Sequence, residues 1–417
     1  MSTNFRVKIE KMVYGGDGLG RLEDGRAIFV PFVLPDEEVL VAIMEDKGRF
    51  VRGRPLEILT SSPKRISPLC PHFGTCGGCH YQHLEYIDQL SLKMSVLADQ
   101  LERIAHLNQA PVQAMISASA PWNYRNQLQF HPSPQGKLGF IEFSGRQVME
   151  VHECHLPLPE INALWPLLTL EEASEFGRIT FREDNEGEVL LLLEGSEENP
   201  PEMEIELPLS VAYLNPEDRL FMLAGQDTLA FTVSGKHFSV SAESFFQVNT
   251  DVAQKMLSFV LEHLPPGNLG NVLELYSGVG FFSKFLAERC ETLTAIESSP
   301  SACYDFATNL EEFDNVSLYE GEVELILPSL ATKMQTPDLV LLDPPRAGLH
   351  PKAREALFKL APQKVIYISC DPSTLSRDLR AFVGNGYEMA LIQPFDMFPQ
   401  TYHLETVVFL QKINQSR

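Results

Sequence analysis

The chain has 417 residues, 44% apolar and 21% charged, the balance of a soluble globular protein of roughly two to four domains. No apolar run reaches the roughly 18 residues of a membrane span, and the opening MSTNFRVKIEK lacks an apolar signal core, so a cytoplasmic protein with no membrane partner is expected. The formal charge of −23 argues against nonspecific nucleic-acid binding, although 3 basic and 16 acidic residues in 161–235 supply −13 of it and leave room for a basic face elsewhere.

Residues 4–59 read as five short strands. In FRVKIEKMV, Phe5, Val7 and Ile9 alternate with Arg6, Lys8 and Glu10, the two-residue period of a half-buried strand. Turn residues such as GGDG at 15–18 separate the runs, and a small OB-type barrel is predicted. Lys8, Lys11, Arg21, Arg26, Arg49, Arg52 and Arg54 supply basic side chains, as one face or as a scattered surface. SSPKRISPL at 61–69 reads as a linker.

From 89 to 107, Leu90, Met94, Leu97, Leu101 and Ile104 repeat at helical spacing and predict an amphipathic helix. Strand-like alternation returns over 120–240 with acidic loops. From about 270, NVLELY, TLTAIE, VSLYE, DLVLLD, KVIYIS, MALIQ and ETVVFLQ are strand candidates, most of them separated by helical stretches, the pattern of a doubly wound α/β sheet.

Five motifs carry chemistry. In ELYSGVGFF, Gly278 and Gly280 allow a tight turn and close approach of a ligand after the first strand, and Glu297 ends the next strand, where an acid can bind both hydroxyls of a ribose. Ser283 stands where a dinucleotide fingerprint would have its third glycine, so the motif favours a nucleoside cofactor without pyrophosphate, such as S-adenosylmethionine. In LVLLDPPRAG, Asp343 follows an apolar strand and two prolines stiffen the loop behind it. In VIYISCDPSTLSRDL, Cys370 follows another such strand, and a thiolate there is a soft nucleophile. In TYHLETVVFL, Glu405 begins the last strand candidate, at a sheet edge the sequence does not specify. Cys70, Cys76 and Cys79 form C-x5-C-x2-C, which predicts a metal or iron–sulfur site. Its fourth ligand is Cys154, with His72, His80, His152 and His155 as alternatives, and ligand softness leaves zinc and iron–sulfur both open.

Taken in order, CPHFGTCGGC with Cys154, SAESFFQVN, ELYSGVGFF, LLDPPRAGL, ISCDPSTLSRDL and HLETV resemble the RNA uracil-C5 (5-methyluridine) methyltransferases. The amino-terminal barrel is similar to the TRAM domain of the ribosomal-RNA branch. The resemblance implies a TRAM-like barrel over 1–60, a central mostly-β iron–sulfur and RNA-binding domain over 61–240, and a Rossmann-like S-adenosylmethionine-dependent methyltransferase domain over 241–417, on which the helix near 89–107 would pack. It implies Cys370 as nucleophile, Glu405 as base and Asp343 as a contact to uracil and the cofactor region. Gln247, Tyr276, Gly278, Gly280, Phe281, Glu297, Glu322 and Asp343 would line the cofactor pocket, and Phe245 and Phe246 would lie near the flipped base. Cys70, Cys76, Cys79 and Cys154 would hold a [4Fe–4S] cluster. The implied partner is RNA, 23S ribosomal RNA ahead of transfer RNA, acted on by a monomer; a non-RNA substrate is the rival that the acidity favours. Two residues depart from the family pattern: Ser277 where many relatives have Cys, and Asp371 where Asn is commoner. Asp371 places an anion beside the thiol, which opposes thiolate formation.

Overall fold

The computed structural model describes residues 4–413 apart from 146, 169, 171–174, 204 and 205. Part of the acidic stretch near 165–210 therefore lies outside the described residues.

The alternating amino-terminal segment forms β1 (Asn4–Met12), β2 (Asp17–Arg21), β3 (Ala27–Pro31), β4 (Glu38–Asp46) and β5 (Phe50–Thr60). They close into a barrel in the order β1-β2-β3-β5-β4. Val7, Ile9, Ile28, Val30, Val39, Val41 and Val51 fill its interior, which is where the two-residue period points them. Gly53 is required there, because a Cβ would meet Val41 at 2.3 Å.

Helix α1 (Tyr86–Gln100) continues into a π-helical turn over Leu101–Ala105. The apolar stripe predicted for this helix is only partly its buried face. Gln89, Lys93 and Gln100 are buried beside Val96 and Leu97, whereas Leu90 and Met94 are half-buried. The polar residues go inside because each meets a polar partner from the carboxy-terminal half, as Gln100 does in accepting from Ser373 Oγ at 2.9 Å. Leu97 and Leu101 pack in one core with Leu375, Leu379 and Phe382, so the helix leans on the α/β unit.

The central region holds β6 (Gln127–Pro132), β7 (Leu138–Ile141), β8 (Val148–Glu150), α2 (Pro159–Leu164), β9 (Phe176–Glu183), β10 (Val189–Gly195), β11 (Ser210–Leu214) and β12 (Leu220–Ala224). Their sheet runs β12-β11-β10-β9-β6-β7-β8. The hairpin β13 (Thr228–Val233) and β14 (Lys236–Ser241) stands apart from it. Its Phe231 and Phe238 pack with Val260, Phe281 and Phe285 in the core of the α/β unit.

That unit comprises α3 (Thr250–His263), β15 (Asn271–Leu275), α4 (Ser283–Leu286), β16 (Thr292–Glu297), α5 (Pro300–Asn309), β17 (Val316–Glu320), α6 (Val323–Leu330), β18 (Leu339–Leu342), α7 (Pro351–Leu360), β19 (Lys364–Ser369), α8 (Pro372–Gly384), β20 (Tyr387–Phe395) and β21 (Glu405–Lys412). The sheet order is β17-β16-β15-β18-β19-β21-β20. β15 to β19 are parallel, and β21 runs antiparallel between β19 and β20. All four residues of β18 are buried because helices cover both faces, which is why its sequence is a continuous apolar run. Strand order reverses between β15 and β18, which opens a ligand crevice beyond their carboxyl ends.

Candidate active site

The crevice is lined first by the turn after β15. Tyr276, Gly278 and Gly280 all take positive φ, at 62°, 54° and 85°. Tyr276 has a side chain in a conformation that favours glycine, a strain that surrounding structure must hold. Its N–H donates to Ile296 O at 2.9 Å. Gly280 is confined, because a Cβ would meet Leu310 at 2.4 Å. Glu297, at the end of β16, accepts from the N–H groups of Gly278, Ser298 and Ser299 at 2.9, 2.7 and 2.8 Å. These bonds fix its carboxylate beside the glycine turn. Glu322 stands immediately before α6, and the Gln247 carbonyl accepts from Asn126 Nδ2 at 2.9 Å.

Two aromatics lie differently from expectation. Phe246 is a core residue, stacked on Phe231 with ring centroids 4.4 Å apart, and so does not face a flipped base; Phe245 beside it is 67% exposed. The Phe281 ring packs against Phe246 and Phe282 in the same core.

Cys370, Glu405 and Asp343 come together at the carboxyl edge of the parallel strands. β19 and β21 pair from Lys364↔Gln411 to Ser369↔Thr406, so Cys370 and Glu405 are the next facing positions. This settles the edge at which Glu405 lies. Asp343 follows β18, the other neighbour of β19, and its N–H donates to Leu275 O at 3.3 Å. Burial holds Asp343 up at about 7, and burial with Asp343 nearby raises Glu405 well above the carboxylate range. Burial, then Glu405 and Asp343, push the Cys370 thiol up to about 12, while Arg346 opposes them. Three acids in one pocket do not all ionise together.

Asp371 contributes least to that shift. Its Oδ1 accepts from Ser373 N and Thr374 N at 2.9 Å each and caps α8. The departure from the family pattern is thus partly absorbed by a helix amino terminus. Sequence reasoning gave no role to Arg346, which lies within the quoted DPPRAG, nor to Tyr14 of the barrel. Burial and the Asp371 carboxylate raise the Tyr14 hydroxyl, and its ring lies edge-on to Tyr402 at 5.4 Å. Glu274 on β15, raised to about 8 by burial, accepts from Ser283 Oγ at 2.6 Å. His403 is pulled down to about 3 by burial and packs on Tyr402, so it stays neutral at pH 7.

Cys70, Cys76, Cys79 and Cys154 are free thiols around one cavity of about 250 Å³, which Arg125, His72 and His155 also line. His80 packs instead against Tyr402, with centroids 4.6 Å apart. Among the described residues, no group of three or more His, Cys, Asp or Glu side chains is disposed to hold a single metal ion. On the barrel, Arg6, Arg21, Arg26 and Arg52 pair with Glu38, Glu10, Asp24 and Asp17 at 2.7 to 3.8 Å, and Lys11 pairs with Asp99. Much of the barrel's positive charge is therefore already matched. Among the described residues no helix is long and apolar enough to cross a membrane.

Residues 224–413 match the family described as tRNA (Uracil-5-)-methyltransferase, and residues 3–56 match the TRAM domain. An uncharacterized RNA methyltransferase of Aquifex aeolicus (strain VF5) is 33% identical, over 97% of this chain and 98% of that protein. The 23S rRNA (uracil(1939)-C(5))-methyltransferase RlmD of Enterobacter sp. (strain 638) is 32% identical, over 95% of this chain and 94% of its own length. The chain belongs to the S-adenosylmethionine-dependent uracil-C5 RNA methyltransferases. A crystal structure of the Pyrococcus abyssi tRNA (uracil-54, C5)-methyltransferase, in complex with S-adenosyl-L-homocysteine, has a similar fold, with a TM-score of 0.74, 24% identity and coverage of 97% of this chain and 100% of that one. As a uracil-C5 methyltransferase, the enzyme uses S-adenosylmethionine and acts on RNA.

Proposed function

We propose that this enzyme methylates C5 of a uridine in 23S ribosomal RNA, with Cys370 as nucleophile and Glu405 as base. The observation that carries the residue roles is the facing pair Cys370 and Glu405 beside Asp343, at the edge where the glycine turn and Glu297 lie. The ribosomal choice is supported by the RlmD relative, whose similarity spans 95% of this chain, barrel included.

Uracil C5 is too weak a nucleophile to take a methyl group unaided. The Cys370 thiolate would add to C6, forming a C–S bond and placing the electron pair on C5 as an enolate. C5 would then take the methyl carbon of the sulfonium, and S-adenosylhomocysteine would leave with the electron pair of the broken S–CH₃ bond. Glu405 would accept the C5 proton, the C6–S bond would break, and the thiolate would return. A desolvated carboxylate with a raised proton affinity is a strong base for that step. Glu297 and the 276–280 turn would hold the nucleoside end of the cofactor, with Gln247 and Glu322 at its margins, and Phe281, its ring packed in the core, would offer only backbone beside the turn. The base must leave its stack to reach Cys370.

Cys70, Cys76, Cys79 and Cys154 would hold a [4Fe–4S] cluster in the cavity they surround. Arg125 on the cavity wall would balance the charge of four thiolates. Bound there, the cluster would cross-link the 70–79 loop to the strand edge near Cys154. Loss of visible absorbance in Cys79→Ser and Cys154→Ser would support that assignment, and its retention in both would remove it.

The decisive experiment incubates anaerobically purified protein with labelled S-adenosylmethionine and unmodified 23S or transfer-RNA transcripts. Nucleoside analysis should find 5-methyluridine in the ribosomal pool alone. Cys370→Ala should give none, and Glu405→Gln should trap a covalent RNA adduct. Turnover by Cys370→Ala would sink the residue roles, and product only in transfer RNA would sink the substrate.

A further inference from the structure

The segment that leads into Glu405 is held by a distant part of the chain. Gln400 lies five residues before the base, is 2% exposed, and has φ of 69°, a left-handed conformation that a non-glycine residue keeps only under constraint. The constraint comes from the cysteine-bearing segment. The Gln400 carbonyl accepts the N–H groups of His80 and Tyr81 at 2.8 and 3.0 Å. Its own N–H donates to Gln89 Oε1 at 3.0 Å, and Gln89 Nε2 donates back to Gln400 Oε1 at 2.9 Å. His80 is the residue after Cys79, so one end of this grip is continuous with the cysteine cavity.

Two further contacts join the same segment to the other wall of that cavity. Tyr124 donates its hydroxyl to Pro399 O at 3.0 Å, and the Arg125 guanidinium lies 5.8 Å from the centre of the Phe398 ring. Lys93 donates to the carbonyls of Phe398 and His403 at 3.0 and 2.8 Å. Cys370 makes none of these contacts itself; it follows β19, which pairs with β18 and β21 inside the sheet, and Gln100 of the same helix α1 accepts from Ser373 Oγ, three residues after Cys370, at 2.9 Å.

We propose that Gln400 and Gln89 are positioning residues through which the segment carrying Cys79 sets the place of the Glu405 carboxylate relative to the target base. They touch no reacting atom. Their part is to fix the backbone turn from which Glu405 projects, so their loss should slow proton removal more than thiolate addition. The proposal rests on the roles given above to Cys370 and Glu405.

Two full-length variants test it, on unmodified 23S transcript under anaerobic conditions. Gln89→Met keeps the side-chain length and removes both bonds to Gln400. Gln400→Gly keeps the three backbone bonds, relieves the strained φ, and removes the two side-chain bonds, the one accepted from Gln89 Nε2 at 2.9 Å and the one donated to Pro121 O at 3.5 Å. For Gln89→Met, kcat should fall by roughly tenfold to a hundredfold, the scale of an ångström-sized misplacement, with the dissociation constants for S-adenosylhomocysteine and RNA within about twofold of wild type. Denaturing gels should show accumulated RNA–protein adduct, because addition continues while elimination lags. Gln400→Gly should accumulate adduct to a smaller extent, and decides the matter if Gln89→Met does not fold. Wild-type adduct levels in the folded variants, or equal loss of addition and elimination, would overturn the proposal. Glu405→Gln is run alongside. If it traps no adduct, the base assignment fails and the proposal falls with it; if it traps adduct and the glutamine variants do not, only the proposal fails.

Discussion

Replacing Lys93 by Met should be among the most damaging single changes outside the reacting groups. Lys93 and Asp396 are both fully buried, with Nζ 2.5 Å from Asp396 Oδ1. Burial pulls the Lys93 ammonium down and Asp396 holds it up. Its other two donors go to Phe398 O and His403 O. Methionine fills the volume but strands a buried carboxylate and two carbonyls. Breaking such a pair from one side costs about 3–5 kcal/mol. At roughly 2–4 °C per kcal/mol for a unit of 150–250 residues, the midpoint of that unit should fall by about 10 °C. Lys93→Met/Asp396→Asn, which removes both charges, should recover a large part of the loss. Thermal melts of both variants at pH 7, followed by near-ultraviolet circular dichroism, read both effects. A single variant within about 2 °C of wild type, or a double variant no better than the single, would refute the reasoning.

The pH–rate profile follows from the groups around the thiol. Burial, Glu405, Asp343 and Asp371 disfavour the Cys370 thiolate, Arg346 favours it, and the Tyr14 hydroxyl lies against Asp371. With the thiol pushed up to about 12 and Asp343 to about 7, kcat/KM should rise with pH through neutrality and keep rising beyond pH 8, measured by initial rates. Arg346→Met should move the profile to higher pH and Asp371→Asn to lower pH by less than about one unit, and shifts of the opposite sign would refute the electrostatic account. Gly280→Ala should weaken cofactor binding with RNA affinity retained, because its Cβ would strike Leu310 at 2.4 Å from a φ of 85°. Calorimetric titration with S-adenosylhomocysteine checks it, and unchanged affinity would show that the turn yields.

The barrel and the α/β unit were legible because their cores follow backbone periods. Val7 and Ile9 alternate inward in β1, and Leu339–Leu342 is apolar throughout because helices cover both sheet faces. Cys370, Asp343 and Glu297 were legible as positions because each ends an apolar parallel strand. Glu405 was not, because β21 runs antiparallel, and the pairing that brings it opposite Cys370 is a tertiary fact. The face of α1 was misread for a related reason. Gln89 and Lys93 are buried by partners 311 and 303 residues away, and no local period encodes that. Of the adjacent Phe245 and Phe246, the core takes the one that can stack on Phe231 of the hairpin, which the dipeptide alone does not specify.

The charge of −23 and an RNA substrate are reconciled by where the acids lie. Among the described residues of 161–235 are β9 to β12, which make up one side of the central sheet, and a groove there is lined by Glu160, Asp184, Glu186 and Glu188. The other end, β7 and β8, meets the cysteine loop, where Gly77 N–H donates to Ile141 O at 3.1 Å and Phe143 N–H to Thr75 O at 2.7 Å. The described acids of that groove therefore sit on the far side of the sheet from the cysteine loop. Near the thiol the balance includes Arg346, while Arg6, Arg21, Arg26 and Arg52 of the barrel already have carboxylate partners. Such a surface neutralises few phosphates. Salt should then weaken RNA binding only gently, with fewer than about three phosphate contacts implied by the slope of log K against log salt. Filter binding of wild-type enzyme across a salt series measures that slope. A slope implying six or more contacts would mean that Lys8, Arg49 and Arg54 join other cations in a continuous basic face, and that phosphate attraction, rather than the fit of one flipped uridine beside Cys370, supplies most of the affinity.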